Sequence, residues 1–138
     1  MSTPVTVVYD VFLKQIGKDI LLELDDDIVE DFMLSALNES IMLFDECEKD
    51  LTINEDEEFV SELTTQEIHI LAKGMLLFWL QNKINTEEIT KNIITDGDYT
   101  TKSAGNLLNN LLKSKEMQRK EFYRMKRRYS YRGNNINE

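Results

Sequence analysis

The sequence predicts an all-α fold: a compact helical bundle around a central hydrophobic helix, with a projecting C-terminal helix and a flexible tail. Three observations lead there. Pro4 is the only proline and five glycines are spread over 138 residues, which favours long uninterrupted helices over many turns. The segment Ile68 to Leu80 and its continuation to Ile84 is apolar around nearly its whole circumference, as a helix buried on most sides must be. Capping residues stand ahead of the apolar runs at helical spacing. With 41% hydrophobic and 30% charged residues, a chain of this length suits one domain that buries one core without metal or disulfide staples.

Taken in order, Thr3-Pro4 reads as an N-cap followed by proline at the first helical position. Val5, Val8, Tyr9, Phe12, Leu13 and Ile16 follow at helical spacing and Gly17 ends the segment, although the valines also suit a strand. Ile20 to Leu24 form a short apolar connector. Asp25 or Asp26 caps a second helix, with Asp27, Glu30 and Asp31 favourable at its N-terminal dipole. Its buried stripe is expected at Ile28, Phe32, Ser35, Ala36, Met42 and Leu43, widened by Leu34, Leu37, Ile41 and Phe44. Asp45 to Glu58 reads as an exposed acidic loop.

Thr64 and Glu67 then make a capping box, flanked by Leu63 and Ile68 as a hydrophobic staple. The central helix follows, with Trp79, the only tryptophan, expected to anchor the core. Asn85 with Glu88 repeats the capping pattern and predicts a separate short helix to about Ile94, followed by a turn at Asp96-Gly97-Asp98. Ser103 caps the last helix, which is expected to reach Tyr129. Its stripe of Ala104, Leu108, Leu111, Lys115, Gln118, Phe122, Met125 and Tyr129 starts apolar, turns polar and ends aromatic. That order predicts a helix that packs early and projects late. Residues 1–128 thus form a helical domain and 129–138 a flexible tail.

The charges are segregated. Glu23 to Glu62 holds sixteen acids and one base, Lys49, whereas Lys102 to the end holds ten bases and three acids, within a chain of net charge −10. Such a split bears on what the surface meets. Cys47 is the only cysteine, so no intrachain disulfide forms, which fits a reducing compartment. The N-terminus has no base before Lys14 and Asp10 interrupts its apolar run, so no secretory signal is expected. The most apolar stretch is too short to span a bilayer, and a soluble, non-exported chain without membrane contact is expected.

Enzyme signals are poor. His69, the only histidine, suits a structural or edge role better than general-base catalysis. Cys47 lies among Asp45, Glu46 and Glu48, whose charges disfavour a thiolate. No phosphate-binding glycine loop and no Cys/His metal spacing occurs. The acidic run 45–58 lacks the central glycine and alternating ligands of an EF-hand, and Asp96-Gly97-Asp98 lacks the later bidentate acid. No cofactor is expected.

The basic end carries more. Arg119, Lys120, Arg124, Lys126, Arg127, Arg128 and Arg132 interleave with Phe122, Tyr123, Tyr129 and Tyr131. One reading is nucleic-acid contact, with arginines on phosphate and tyrosines stacking, as in a small helical regulator. Another is a protein anchor, because Tyr and Arg are favoured at interface hot spots. A third is a solvated helix end with cations at its C-terminal dipole. Net charge argues against DNA as the main partner. The acidic segment 23–62 also allows an acidic mimic of DNA, a reading that the large hydrophobic helix and basic end make less natural.

Several stretches resemble the small all-helical connector proteins of tailed bacteriophages, also called neck, adaptor or head-completion proteins. They are Val8-Tyr9-Asp10-Val11-Phe12-Leu13 with Leu21-Leu22-Glu23-Leu24-Asp25, and Leu63-Thr64-Thr65-Gln66-Glu67-Ile68 through Trp79-Leu80. Asp98-Tyr99 with the late helix and Arg128-Tyr129-Ser130-Tyr131 complete the set. The resemblance implies a helical bundle that assembles as a ring, typically a dodecamer, on the portal protein. It further implies a tail protein or second neck protein as neighbour, DNA only as cargo in the lumen, and a place in the virion neck after assembly in the host cytoplasm. Its portal-reaching element maps onto the end of the last helix and Tyr129 to Glu138. From the Arg/Tyr composition we expect Arg124, Arg127, Arg128, Tyr129, Tyr131 and Arg132 to meet the portal. Between subunits, Glu30, Asp31, Glu57 and Glu58 are expected to face Arg119 and Lys120 of a neighbour.

Overall fold

The central helix begins where the capping box predicts. In a computed structural model, the Thr64 amide donates to Glu67 Oε1 at 2.7 Å and the Glu67 amide donates to Thr64 Oγ1 at 3.2 Å. The structure describes residues 2–16, 26–93 and 98–136. Along them run β1 (Thr3–Pro4), α1 (Val5–Ile16), α2 (Asp26–Leu43), β2 (Glu58–Phe59), α3 (Thr65–Ile93) and α4 (Asp98–Ile136). The fold is all-α, and α1, α2 and α4 all pack on α3. Ile70, Leu71, Ala72, Met75, Leu80 and Ile84 of α3 are buried, so the core sits along this helix.

The N-terminus departs from expectation. Thr3-Pro4 is not a helix cap but a two-residue strand, antiparallel to Glu58–Phe59. The Thr3 hydroxyl accepts from the Leu63 amide at 2.9 Å, and the Val5 amide, first in α1, donates to the Glu57 carbonyl at 3.0 Å. Pro4 costs this strand little, because a proline is tolerated at an edge. The pairing ties the chain start to the acidic segment, which is therefore anchored rather than wholly exposed: Phe59 is fully buried, and Leu51 and Ile53 pack partly against the core. Glu57 turns the chain with φ 59°, in the left-handed region. Gly17, the connector Ile20 to Leu24 and the residues Asp96-Gly97 of the expected turn lie outside the described residues.

Helix α2 buries part of the expected stripe, with Ala36, Leu37 and Phe44 inside and Phe32, Ile41 and Leu43 packed partly on the core, but leaves another part in solvent. Met33, Ala36, Leu37, Ser40 and Phe44 are buried, while Ile28, Leu34 and Met42 are exposed at 52%, 46% and 73% and Ser35 is exposed too. Apolar residues occur on several sides of this helix, so spacing alone left its orientation open. The crossing with α3 decides it. Ser40 donates to the Leu71 carbonyl at 2.6 Å, and a Cβ on Gly74 would lie 2.1 Å from Ser40 Oγ. Only a glycine lets the two backbones approach this closely.

No separate helix starts at Asn85. Its side-chain oxygen accepts from Gln81 Nε2 at 2.8 Å, one turn back, rather than from an amide ahead, and α3 continues to Ile93. Trp79 is half-buried at the core edge, with Lys83 Nζ 5.7 Å from its ring centroid. His69 is exposed. Helix α4 starts at Asp98, so Ser103 lies inside it rather than at its cap.

Helix α4 packs early, as expected, but does not project late. Leu108 is buried and Leu111 packs partly against the core, with Leu107 and Leu112 exposed at 46% and 43% beside them, while the late residues Phe122, Lys126 and Tyr129 are buried as well. The reason is direction. Lys115 reaches Gln81, Lys73 donates to Gln118 at 2.8 Å, and Tyr129 reaches Glu67, so α4 runs antiparallel to α3. Its late residues meet the apolar start of α3, and its earlier ones meet the stretch where α3 turns polar. Nor does helix end at residue 129, since α4 reaches Ile136.

Candidate functional site

Helix α4 has two faces, one pinned and one presented. The pinned face ends in a buried polar cluster around Glu67, which is 2% exposed. Tyr129 donates its hydroxyl to Glu67 Oε2 at 2.7 Å and accepts from the Glu48 amide at 2.9 Å. Lys49 Nζ lies 3.5 Å from Glu67 Oε1, and the Cys47 thiol donates to Oε2 at 3.8 Å. Burial alone would raise the Glu67 pKa, but the Thr64 amide, the Tyr129 hydroxyl and the Lys49 charge outweigh it and hold the carboxyl below its ordinary value. Burial pushes the Tyr129 phenol up, opposed by the Glu48 amide and reinforced by Glu67. Burial likewise raises the Cys47 thiol, against an amide bond from Lys49, with the Glu67 charge adding to the rise. A protonated, partly buried thiol is a poor nucleophile.

One turn earlier, Lys126 closes the end of α2. Its ammonium donates to the Leu43 carbonyl at 2.9 Å and pairs with Glu46 Oε1 at 3.0 Å, with Asp45 Oδ1 at 3.9 Å. A cation at the last carbonyls of a helix satisfies orphan acceptors and opposes the negative end of the dipole. It also stands 4.9 Å from the centroid of the Tyr123 ring and 5.3 Å from that of Phe122.

The presented face bears the cations. Lys113, Met117, Lys120, Arg124, Arg127 and Tyr131 are all exposed and follow one another in steps of four and three residues, which places them on one stripe. Arg128 is exposed beside it. Arg119 and Arg124 are held on the helix surface by Glu116 and Glu121, three residues before each. Arg119, Lys120, Tyr123 and Arg127 line a shallow concavity of about 340 Å³.

The expected portal residues therefore divide. Arg124, Arg127, Arg128 and Tyr131 stand on the exposed side of one helix. Arg132 lies in α4, but its side chain is outside the described residues. Tyr129 belongs to the other face: it is 8% exposed, packs edge-on against Phe44 with centroids 5.1 Å apart, and spends its hydroxyl on Glu67 and Glu48. It is a core residue and offers nothing to a partner. Of the expected subunit contacts, Glu30, Asp31 and Glu57 are exposed and Glu58 is half-buried, accepting from Ser2 Oγ at 3.0 Å. Burial raises the Tyr9 phenol, and the charges of Glu57 and Glu30 add to the rise. Arg119 and Lys120 are exposed on α4.

Spacing within α4 makes the stripe legible, yet the Tyr123 side and the α2–α3 residues beneath it were not legible, because they meet only in three dimensions. Among the described residues, no group of three or more His, Cys, Asp or Glu is placed to hold a metal ion, and no helix is long and apolar enough to cross a membrane. Comparisons with protein-family models, with curated proteins and with solved structures find no match to this chain.

Proposed function

We propose that this protein is a structural virion component: a head–tail connector subunit of a tailed bacteriophage that docks on the portal protein as a ring, probes no chemistry of its own, and extends the DNA channel towards the tail. The reading combines the sequence resemblance with one structural observation that carries it. A chain of net charge −10 presents, on a helix pinned firmly to its core, an exposed stripe of Lys120, Arg124, Arg127 and Tyr131 with Arg128 beside it. Arginine and tyrosine on a rigid element are favoured anchors for a protein partner. In this proposal they meet the portal, the acidic side of Glu30, Asp31 and Glu57 serves contacts between subunits, a tail or second neck protein binds opposite, and DNA passes only as cargo.

The test is co-sedimentation of the purified chain with assembled portal rings. Arg127→Glu with Arg128→Glu should weaken docking about tenfold or more while leaving the thermal melt unchanged, since both side chains are exposed. Undiminished docking sinks the assignment. The same stripe of cations supports a second reading, a nucleic-acid-associated regulator; duplex binding that falls steeply with salt, in place of portal binding, would favour it.

A further inference from the structure

Beside the stripe, α2, α3 and α4 leave a notch between them. Leu43, Leu77, Phe78 and Phe122 form its apolar floor, Tyr123 and Arg119 stand at its mouth, and its volume is about 370 Å³. Arg119 and Tyr123 also line the basic concavity with Lys120 and Arg127, so notch and concavity are continuous. We infer that this composite surface is a docking site for an acidic peptide segment of a protein partner, one that inserts a large apolar side chain into the notch and lays carboxylates along Arg119, Lys120 and Arg127.

Two features select that occupant. The first is charge. Lys115, Arg119, Lys120 and Arg127 surround the site with Glu39 as the one acid among the lining residues, on a molecule that is strongly acidic elsewhere. A short acidic segment is drawn to this island, whereas a long polyanion must also run past the acids of the rest of the surface. The second is the floor. Nucleic acid has no aliphatic or phenyl side chain to fill a notch of Leu and Phe, while an apolar anchor in a pocket with charges at the rim is the usual anatomy of a protein hot spot. Arg119 is suited to the mouth because Glu116 holds its guanidinium through Nε at 3.0 Å and Nη2 at 2.7 Å, which orients the fork and reduces the freedom lost on binding. Tyr123 is 39% exposed and Arg119 lies 5.6 Å from its ring centroid, so the two form a stacked lip.

This site borders the outer face assigned to the portal and shares Lys120 and Arg127 with it, but Arg119, Tyr123 and the notch belong to it alone and Arg128 to the outer face alone, so variants at these residues tell the two apart. The probe is a fluorescein-labelled acidic peptide carrying a single Leu-Phe pair, titrated against the full chain by fluorescence anisotropy. Binding should weaken about tenfold in Arg119→Glu and in Tyr123→Ala, and should be unchanged in Arg128→Glu, which touches only the outer face. Replacing the Leu-Phe pair with Ser-Ser should weaken it about tenfold as well. Equal binding by the Ser-Ser peptide, or tighter binding by a labelled single-stranded oligonucleotide, would overturn the proposal and leave a plain anion patch. Insensitivity to Tyr123→Ala would overturn it too. So would loss of the peptide signal with rising protein concentration alongside growth in mass, which assigns the notch to a second copy of this chain.

Discussion

Tyr129 shows how one side chain can carry opposite meanings in sequence and structure. In sequence it sits in Arg-Arg-Tyr-Ser-Tyr and looks like part of a basic, solvent-facing end; in the fold it is the far partner of Glu67. The capping box was legible because its two members lie three residues apart. Its third member was not, because it lies 62 residues away. Tyr129→Phe keeps the ring against Phe44 but removes a donor from a buried carboxylate and an acceptor from the Glu48 amide. We expect a loss of about 1–3 kcal/mol in urea denaturation, whereas Tyr131→Phe, 69% exposed, should change stability by less than about 0.5 kcal/mol. The carboxyl also sets an acid limb. Glu67 in the fold is more acidic than an ordinary glutamate, whose value is 4.5. Its contribution is therefore complete above that value and is lost as pH falls through the lower folded-state value. Glu67→Gln should lower stability at neutral pH and flatten the acid limb measured by urea midpoints against pH. An unchanged limb would mean that other carboxylates set it.

At the scale of elements, four of the five expected helices stand in roughly their expected places and the short one at Asn85 is a continuation of α3, while the inward face of α2 differs in part and the late half of α4 packs rather than projects. For α2 the hydrophobic pattern was broad, and what chose its orientation was a steric fact about another helix, the absence of a side chain at Gly74. For α4 the early residues Leu108 and Leu111 pack as their spacing suggests, but the aromatic late residues pack too rather than project, because an antiparallel course sets them beside the apolar start of α3. The α2–α3 crossing makes a sharp prediction. Gly74→Ala gains helix propensity worth about 1 kcal/mol yet places a methyl 2.1 Å from Ser40 Oγ and 2.9 Å from Ser40 Cβ. Overpacking of this kind costs about 1–3 kcal/mol, so the variant should be less stable than the parent. Ser40→Ala removes the closest atom while sacrificing the bond to Leu71. The double variant should then be more stable than the sum of the two single losses, a positive coupling of about 1 kcal/mol in a double-mutant cycle. Simple additivity would show that the helices separate rather than clash.

At the scale of the whole molecule, the charge split takes a different form from the one the sequence suggests. The basic segment is not an appendage beyond the core. Lys126 and Tyr129 lock it to the chain near 43–49 and to the start of α3, so the same helix that presents cations outward also closes the bundle. A boundary at residue 128 cuts through this closure. Two truncations separate the roles. A chain ending after Tyr131 keeps Tyr129 and should melt close to the full chain. A chain ending after Arg128 loses a buried aromatic ring, its contact with Phe44 and the donor to Glu67, and deletion of a buried aromatic side chain costs about 3–5 kcal/mol. Against a total stability of about 5–15 kcal/mol, that loss should lower the melting temperature by more than about 10 °C and expose the Glu67 cluster, seen as faster hydrogen exchange at the amides of 64–67 and 48. Loss of portal binding in the shorter chain would then report unfolding rather than a missing contact, while loss in the longer one would place a docking determinant beyond Tyr131. Equal melting of the two chains would show that the last turns of α4 do not close the bundle at all.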